Sequence, residues 1–262
     1  MAFKEIMSAD NALIKKVSKL KNKKYREQFG EFMAEGWLSL EAGLSSCYEL
    51  VFAVVSKSFA EKNYEKLEKI ENVIVTSDKL FEQISDAVTP QGVMGIFKIP
   101  NQEKDVENEG NHLIYCDNLR DPGNAGTIIR TADALGMDAA IFSEGSADIF
   151  APKLVRSTMG SLFHVPVFKE ADTSDLKKLK AKGYEIVSLA LGENCISLYD
   201  FVCPEKCVIV VGNEAHGVSR EILEISDKCV KIPMYGFAES LNASVAAAIV
   251  MNEAARRKND DR

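Results

Sequence analysis

Residues 208–255 constrain this chain more than any other stretch. They open with VIVVGNEAHGVS, an apolar, β-branched run that stops at Gly212. DKCVKIPMYGFAESLNASVAAAIVMNEAA then supplies a second short apolar run, a loop containing Pro233, and an alanine-rich helix. Val and Ile in such runs suit strands. In an open α/β sheet, ligands sit outside the carboxyl ends of the strands. Two such ends, at Gly212 and Pro233, fall within this one segment, and helical patterns follow both. The block reads as a cofactor cleft that the rest of the chain supports and serves.

The pattern upstream is of the same kind. Strands are expected over 112–116, 138–142, 163–168 and 184–191, with helices over 124–135, 151–159 and 175–181. The order βαβα predicts a parallel sheet covered on both faces. In the final helix Leu241, Val245, Ala248 and Ile249 fall on one face, and its alanines permit close packing against the sheet or a second subunit.

The first hundred residues read as a separate small α/β module. Helices are expected over 11–21, 37–44, 59–69 and 79–84, and strands over 31–36, 49–55, 72–75 and 91–99. Between the modules lies NQEKDVENEGN, polar and mostly acidic, which reads as a linker. The division is therefore 1–100, a linker at 101–111, and 112–262.

Composition narrows the class. With 262 residues and 46% hydrophobic content the chain can bury a substantial core. No apolar run approaches the ~20 residues of a membrane span, and the N-terminus lacks a signal-peptide pattern. A cytoplasmic protein with no membrane association is expected. Of the six cysteines, no pair has C-x-x-C spacing, and Cys203 and Cys207 have no histidine nearby in sequence. Reduced, mostly buried thiols and no metal site are therefore expected.

The formal net charge of −7 argues against generic nucleic-acid binding. Residues 1–30, however, carry eight Lys and Arg against three acids. Such an element can dock phosphates, or it can be a solvated lysine-rich helix. Charge alone leaves both open.

Three constellations carry chemistry. In DNLRDPGNAGTIIRTA, Pro122 and Gly123 make a turn and Asn124 can cap the following helix. Ile128, Ala132 and Leu135 form its buried stripe. Arg130 projects roughly opposite, either solvated beside Asp133 or aimed at a phosphate or a reacting oxygen. In GNEAHG, Gly212 suits close approach of a ligand, Glu214 can accept hydrogen bonds, and His216 is a general base by residue type. This is neither G-x-G-x-x-G nor a P-loop. At the start of the last helix, Ser240 and Asn242 can cap it or orient a ligand.

These segments, DNLRDPGNAGTIIRTADALG, VIVVGNEAHGVS and IPMYGFAESLNASVAAAIVMNEAAR, resemble the three motifs of the SpoU (TrmH-like) RNA 2′-O-ribose methyltransferases of the SPOUT superfamily. They come in family order with similar spacing. APKLVRSTMGSLFHVPV resembles the family's segment between the first two motifs. NALIKKVSKLKNKKYREQFGEFMAEGWLSLEAGL and TPQGVMGIF resemble, more loosely, the family's small substrate-binding domain, which is similar to ribosomal protein L30e.

The resemblance implies an α/β parallel-sheet domain with a C-terminal trefoil knot, which general topology rules alone would exclude. It implies S-adenosyl-L-methionine as cofactor, RNA as substrate and a homodimer. Gly212, Glu214, Ile232, Met234 and Leu241 match its cofactor-binding positions. Asn124, Arg130, Glu214, Ser240 and Asn242 match its active-site positions, whereas His216 matches none. A guanidinium is a poor base, so Arg130 is expected to orient a ribose 2′-hydroxyl and stabilise its developing charge. The two-domain layout points to 23S ribosomal RNA over tRNA. A non-catalytic RNA-binding homologue and a nucleotide-dependent oxidoreductase are the rivals, the latter opposed by the missing glycine fingerprint.

Overall fold

A computed structural model describes residues 3–100, 110–192 and 194–260, with side chains through Arg256. Most of the expected linker, 101–109, lies outside the described residues. The chain forms two compact units. One joins Met1–Asn101 to Asp148–His164, and the other joins Gln102–Ala147 to Val165–Arg262.

In chain order the first hundred residues give β1 (Lys4–Glu5), α1 (Ala12–Lys19), α2 (Lys23–Phe29), β2 (Glu31–Glu35), α3 (Trp37–Leu44) and β3 (Leu50–Ser56). Then come α4 (Lys57–Lys62), α5 (Tyr64–Leu67), β4 (Val73–Thr76), α6 (Asp78–Ile84) and β5 (Val93–Lys98). The sheet order is β1-β4-β3-β5-β2. β1, β4 and β3 run parallel, and β5 is antiparallel to both its neighbours. The helix expected over 59–69 is two helices, because α4 closes at Asn63, whose φ of −128° leaves the helical range. α2 was not anticipated. Its start signal is Asn22, whose side chain accepts from the Lys24 N–H, and its stop is Gly30 in the left-handed region.

The first unit takes back a segment from the middle of the chain. Phe150 and Phe163 pack on Phe32, with ring centroids 4.8 and 6.0 Å away. Arg26, buried, donates to Asp148 at 2.5 Å and to the Leu20 carbonyl at 2.7 Å. Arg156 donates to Asp86 at 2.9 Å. A cut at His112 would therefore separate Phe32 from two of its aromatic neighbours. It also explains why the strand expected over 163–168 starts later: Phe163 is held in the first unit's core.

Charge in the N-terminal thirty residues is partly spent inside this unit. Arg26 serves Asp148, Lys16 pairs with buried Glu31 at 2.5 Å, and Lys21 donates to the carbonyls of Gln83 and Ser85. Lys19 and Lys24 stay exposed beside the Tyr25 ring, 5.2 and 6.0 Å from its centroid.

The rest of the chain supplies β6 (His112–Cys116), α7 (Pro122–Leu135), β7 (Ala139–Ser143), α8 (Pro152–Ser157) of the first unit, β8 (Val167–Ala171), α9 (Thr173–Ala181) and β9 (Glu185–Leu189). β10 (Ile196–Ser197), β11 (Cys207–Val211), α10 (Arg220–Ile225), β12 (Lys228–Lys231) and α11 (Ala243–Asp260) complete it. The second sheet runs β10-β12-β9-β11-β6-β7-β8, parallel throughout. This is the α/β class expected. Every residue of β6, β7 and β11 is buried, as strands covered on both faces must be.

α11 packs against α7 and β11. Its buried face is Ser244, Ala247, Val250, Met251 and Ala254. That corrects the expected stripe: Leu241 and Val245 are exposed, and Ala248 and Ile249 only half-buried. The alanine-rich first half of this helix shows no periodicity strong enough to choose its inner face. The cysteines are corrected too. Cys195 and Cys229 form a disulfide, Cα atoms 4.6 Å apart, because β10 is laid beside β12.

The Arg26–Asp148 pair should govern the first unit. Asp148→Ala leaves a guanidinium that is 4% exposed without its anion. The expected loss is about 3 kcal/mol in urea unfolding of the full chain, the low end for a broken buried pair because Asp148 keeps some solvent contact.

Candidate active site

The parallel strands β9, β11 and β12 all end at one place. Their carboxyl ends and the loops after them enclose a cleft of about 640 Å³. That is a ligand-sized volume, in the position that open α/β sheets use. Leu189, Val230, Ile232 and Leu241 give it apolar walls, and Ser240, Asn242 and Glu214 give it polar ones.

Gly212 is required by crowding. A Cβ there would stand 2.0 Å from the Gly217 carbonyl carbon and 2.1 Å from the Val218 nitrogen. The chain folds back on itself because Asn213 and Gly217 exchange backbone hydrogen bonds of 2.9 and 2.8 Å. Gly217 takes φ +69° to allow it. Asn213 also clamps the loop through its side chain. Its Oδ1 accepts from the Ala215 N–H at 2.9 Å, and its Nδ2 donates to the Asn118 carbonyl at 2.7 Å.

α7 starts differently from the expectation. Asp121, not Asn124, is the cap: its carboxylate accepts from the Asn124 N–H at 2.8 Å, and Pro122 takes the first helical position. The Asn124 side chain is thereby released to bridge. Its Nδ2 donates to Glu214 Oε1 at 3.0 Å, and its Oδ1 accepts from Asn242 Nδ2 at 2.9 Å. Asn242 caps α11, its Oδ1 accepting from the Ser244 N–H at 2.9 Å. Glu214 also accepts from the backbone N–H groups of Asp121 at 3.1 Å and Arg120 at 3.4 Å. One hydrogen-bonded chain thus joins all three motif segments.

Burial raises the Glu214 carboxyl pKa, but the Asn124 amide and the backbone N–H donors outweigh it and leave the group below its ordinary 4.5. Glu214 is anionic at neutral pH.

Gly212, Glu214, Ile232, Met234, Ser240, Leu241 and Asn242 all line the cleft, and Asn124 reaches it through Glu214 and Asn242. His216 lines it as well. Arg130 does not. It lies exposed on α7, six residues beyond Asn124. Asn213, Asp121 and Ser244 escaped the sequence reading. For Asp121 a signal was there, an acid directly before a proline at a helix start. For the others only the closed loop and the packed helix reveal the role.

The lowered Glu214 pKa sets a pH dependence. A depressed acid stabilises the fold fully above its ordinary value and loses that contribution as pH falls through the lowered one. Thermal melts of the parent and Glu214→Gln should differ at neutral pH and converge as pH falls from 4.5 through the lowered value. A difference that persisted undiminished in acid would show that the charge is not what holds this loop.

Comparison with known proteins agrees with this geometry. The SpoU rRNA Methylase family matches residues 111–252, and an MRM3-like substrate binding domain matches residues 11–95. The 23S rRNA (guanosine(2553)-2′-O)-methyltransferase RlmP of Bacillus subtilis is 34% identical over 251 residues, covering 95% of this chain and 98% of that protein. The 23S rRNA (uridine(2479)-2′-O)-methyltransferase of Streptomyces viridochromogenes is 30% identical, over 91% of this chain and 87% of its own. The AdoMet-bound rRNA methyltransferase of Sinorhizobium meliloti superposes with a TM-score of 0.85 at 32% identity, over 97% of this chain and 98% of that one. With all three motif segments gathered at one cleft, and with matches of this extent, the chain belongs to the SpoU rRNA methylase family.

Proposed function

We propose that this protein transfers a methyl group from S-adenosyl-L-methionine to a ribose 2′-hydroxyl of 23S ribosomal RNA. The observation that carries the reading is the Asn242–Asn124–Glu214 chain beside the cleft. It brings the three motif segments together around one ligand-sized space.

The residues present fit the cofactor. Backbone alone approaches at Gly212, where no side chain has room. The apolar walls suit a nucleobase, the polar ones a ribose and an amino-acid group, and anionic Glu214 suits a cationic ligand. Gly212, Glu214, Ile232, Met234 and Leu241 would hold it. The cofactor supplies a methyl group already activated on a sulfonium.

The chain's own task is to place a nucleophile in line and keep water out. Asn124 and Glu214 fix the loop that floors the cleft, and Ser240 and Asn242 bound it where α11 begins. Arg130 orients the ribose hydroxyl and its neighbouring phosphate and stabilises charge developing on the 2′-oxygen. Arg130 stands outside its own chain's cleft, so in this reading it serves the cleft of a second copy. The exposed Val245 of α11 supports such a homodimer. The first unit docks RNA, with Lys19 and Lys24 beside Tyr25 as its basic contacts, and the C-terminal segment forms the trefoil knot typical of the family. The protein works in the cytoplasm on ribosomal RNA. Among the described residues no helix is long and apolar enough to cross a membrane.

Arg130→Ala should leave stability within ~0.5 kcal/mol, as an exposed change does. It should leave cofactor affinity intact and lower single-turnover methyl transfer by orders of magnitude. Arg130→Lys should rescue little, since an ammonium lacks the planar two-point contact. Parental rates in either variant would remove Arg130 from the reaction.

Light scattering at micromolar concentration should give twice the chain mass of 28.9 kDa. A monomer would leave Arg130 with no cleft to serve. Mapping the 2′-O-methyl groups lost from the RNA of a deletion strain identifies the substrate; loss from tRNA in place of 23S RNA would overturn the ribosomal assignment.

A further inference from the structure

The first residues of two adjacent central strands carry metal-ligating side chains. β11 lies parallel to β6 in a register that places Cys207 opposite His112, and the Cys207 N–H donates to the Asn111 carbonyl at 2.8 Å. Residues paired in this way sit ~4.8 Å apart on the same face of the sheet. The turn before β11 returns Cys203 to the same point, its sulfur 3.5 Å from that of Cys207. The ligand atoms of His112, Cys203 and Cys207 all lie within 4.8 Å of one another. This reverses the sequence argument against a metal. The histidine missing beside Cys203 and Cys207 comes from ninety residues away, delivered by strand register.

We infer that His112, Cys203 and Cys207 form a zinc site. Two thiolates and an imidazole are the donors that zinc prefers, and they offer no oxygen set for calcium or magnesium. The spacing suits it. Two sulfurs each ~2.3 Å from a tetrahedral ion lie ~3.8 Å apart, against ~2.05 Å in a disulfide. The observed 3.5 Å falls on the zinc side. His112 and Cys207 are buried, while Cys203 is half-buried and gives the ion a path and a fourth position facing water. The Pro204 carbonyl lies 3.3 Å from His112 Nε2 and accepts from it, which orients the ring.

The role is structural. Cys207 opens β11 and the cleft lies beyond its far end, ~16 Å away at a strand's rise per residue. Zinc there would staple the turn at 203–206 to the amino ends of β6 and β11, the two strands at the centre of the sheet.

The test uses the full chain, reduced and stripped with a chelator. Zinc is titrated in competition with a chromogenic chelator, and cobalt is substituted to read its thiolate charge-transfer and tetrahedral d–d bands. The expected result is one zinc per chain and a cobalt spectrum of two thiolates. Affinity should fall roughly 100-fold or more in Cys203→Ser, since losing a ligand exceeds the 10–100-fold effect of outer-shell partners. His112→Gln should weaken it comparably, and Cys47→Ser should not change it. Zinc should raise the melting temperature of the parent and not that of Cys203→Ser. The inference is overturned if the reduced parent takes up no stoichiometric zinc. It is also overturned if both ligand variants bind as tightly as the parent, or if Cys203 and Cys207 persist as a disulfide under reductant. The cobalt spectrum is read on the unmodified protein, so a variant that fails to fold does not shield the proposal.

Discussion

The site depends on a single bridging side chain. Asn124 can donate to Glu214 and accept from Asn242 only because Asp121 has taken over the capping of its helix. An amide is the right group for this, since it offers a donor and an acceptor on opposite atoms. A carboxylate at 124 would repel Glu214, and a hydroxyl would be too short to reach both neighbours. Through this residue the start of α7, the loop after β11 and the start of α11 are held in one frame; the last two line the cleft, and α7 is tied to it through them.

That frame rests on a sheet whose order brings distant segments together. β9, β11 and β12 are neighbours although other elements separate them along the chain. Their buried, β-branched character makes them central strands, and parallel pairing puts every carboxyl end on one side. The amino ends share the other side, where Cys207 faces His112. The same register therefore builds a ligand cleft at one edge of the sheet and a thiol–imidazole cluster at the opposite edge. Loop closure at Gly212 completes the first, where backbone approaches so closely that no Cβ fits.

The first unit follows a different logic. Its sheet is mixed, and its core is finished by residues that come after the first two strands of the second sheet. Phe150 and Phe163 fill space against Phe32, and Asp148 neutralises the buried Arg26. The apparent surplus of positive charge at the N-terminus is in part internal wiring. A binding surface on this unit has fewer free cations than composition suggests.

Local patterns were enough for much of this. β6 and α3 fall where the residues place them, because a buried strand and a helix begun after a glycine turn announce themselves over a few positions. Gly212 and Glu214 were identifiable as cleft residues because a strand end marks where ligands sit, and Ile232 and Leu241 through the resemblance of their segment to the family's third motif. Tertiary structure decided what depends on pairing between distant segments. It chose the inner face of α11, where alanines make every face acceptable. It joined Cys195 to Cys229 by laying β10 beside β12, and His112 to Cys207 by the register of β6 and β11. It also assigned Asp148–His164 to the first unit. Sequence spacing reports which residues share a helix or a strand; which strands lie side by side is settled only when the whole sheet closes its core, and that is where these contacts were made.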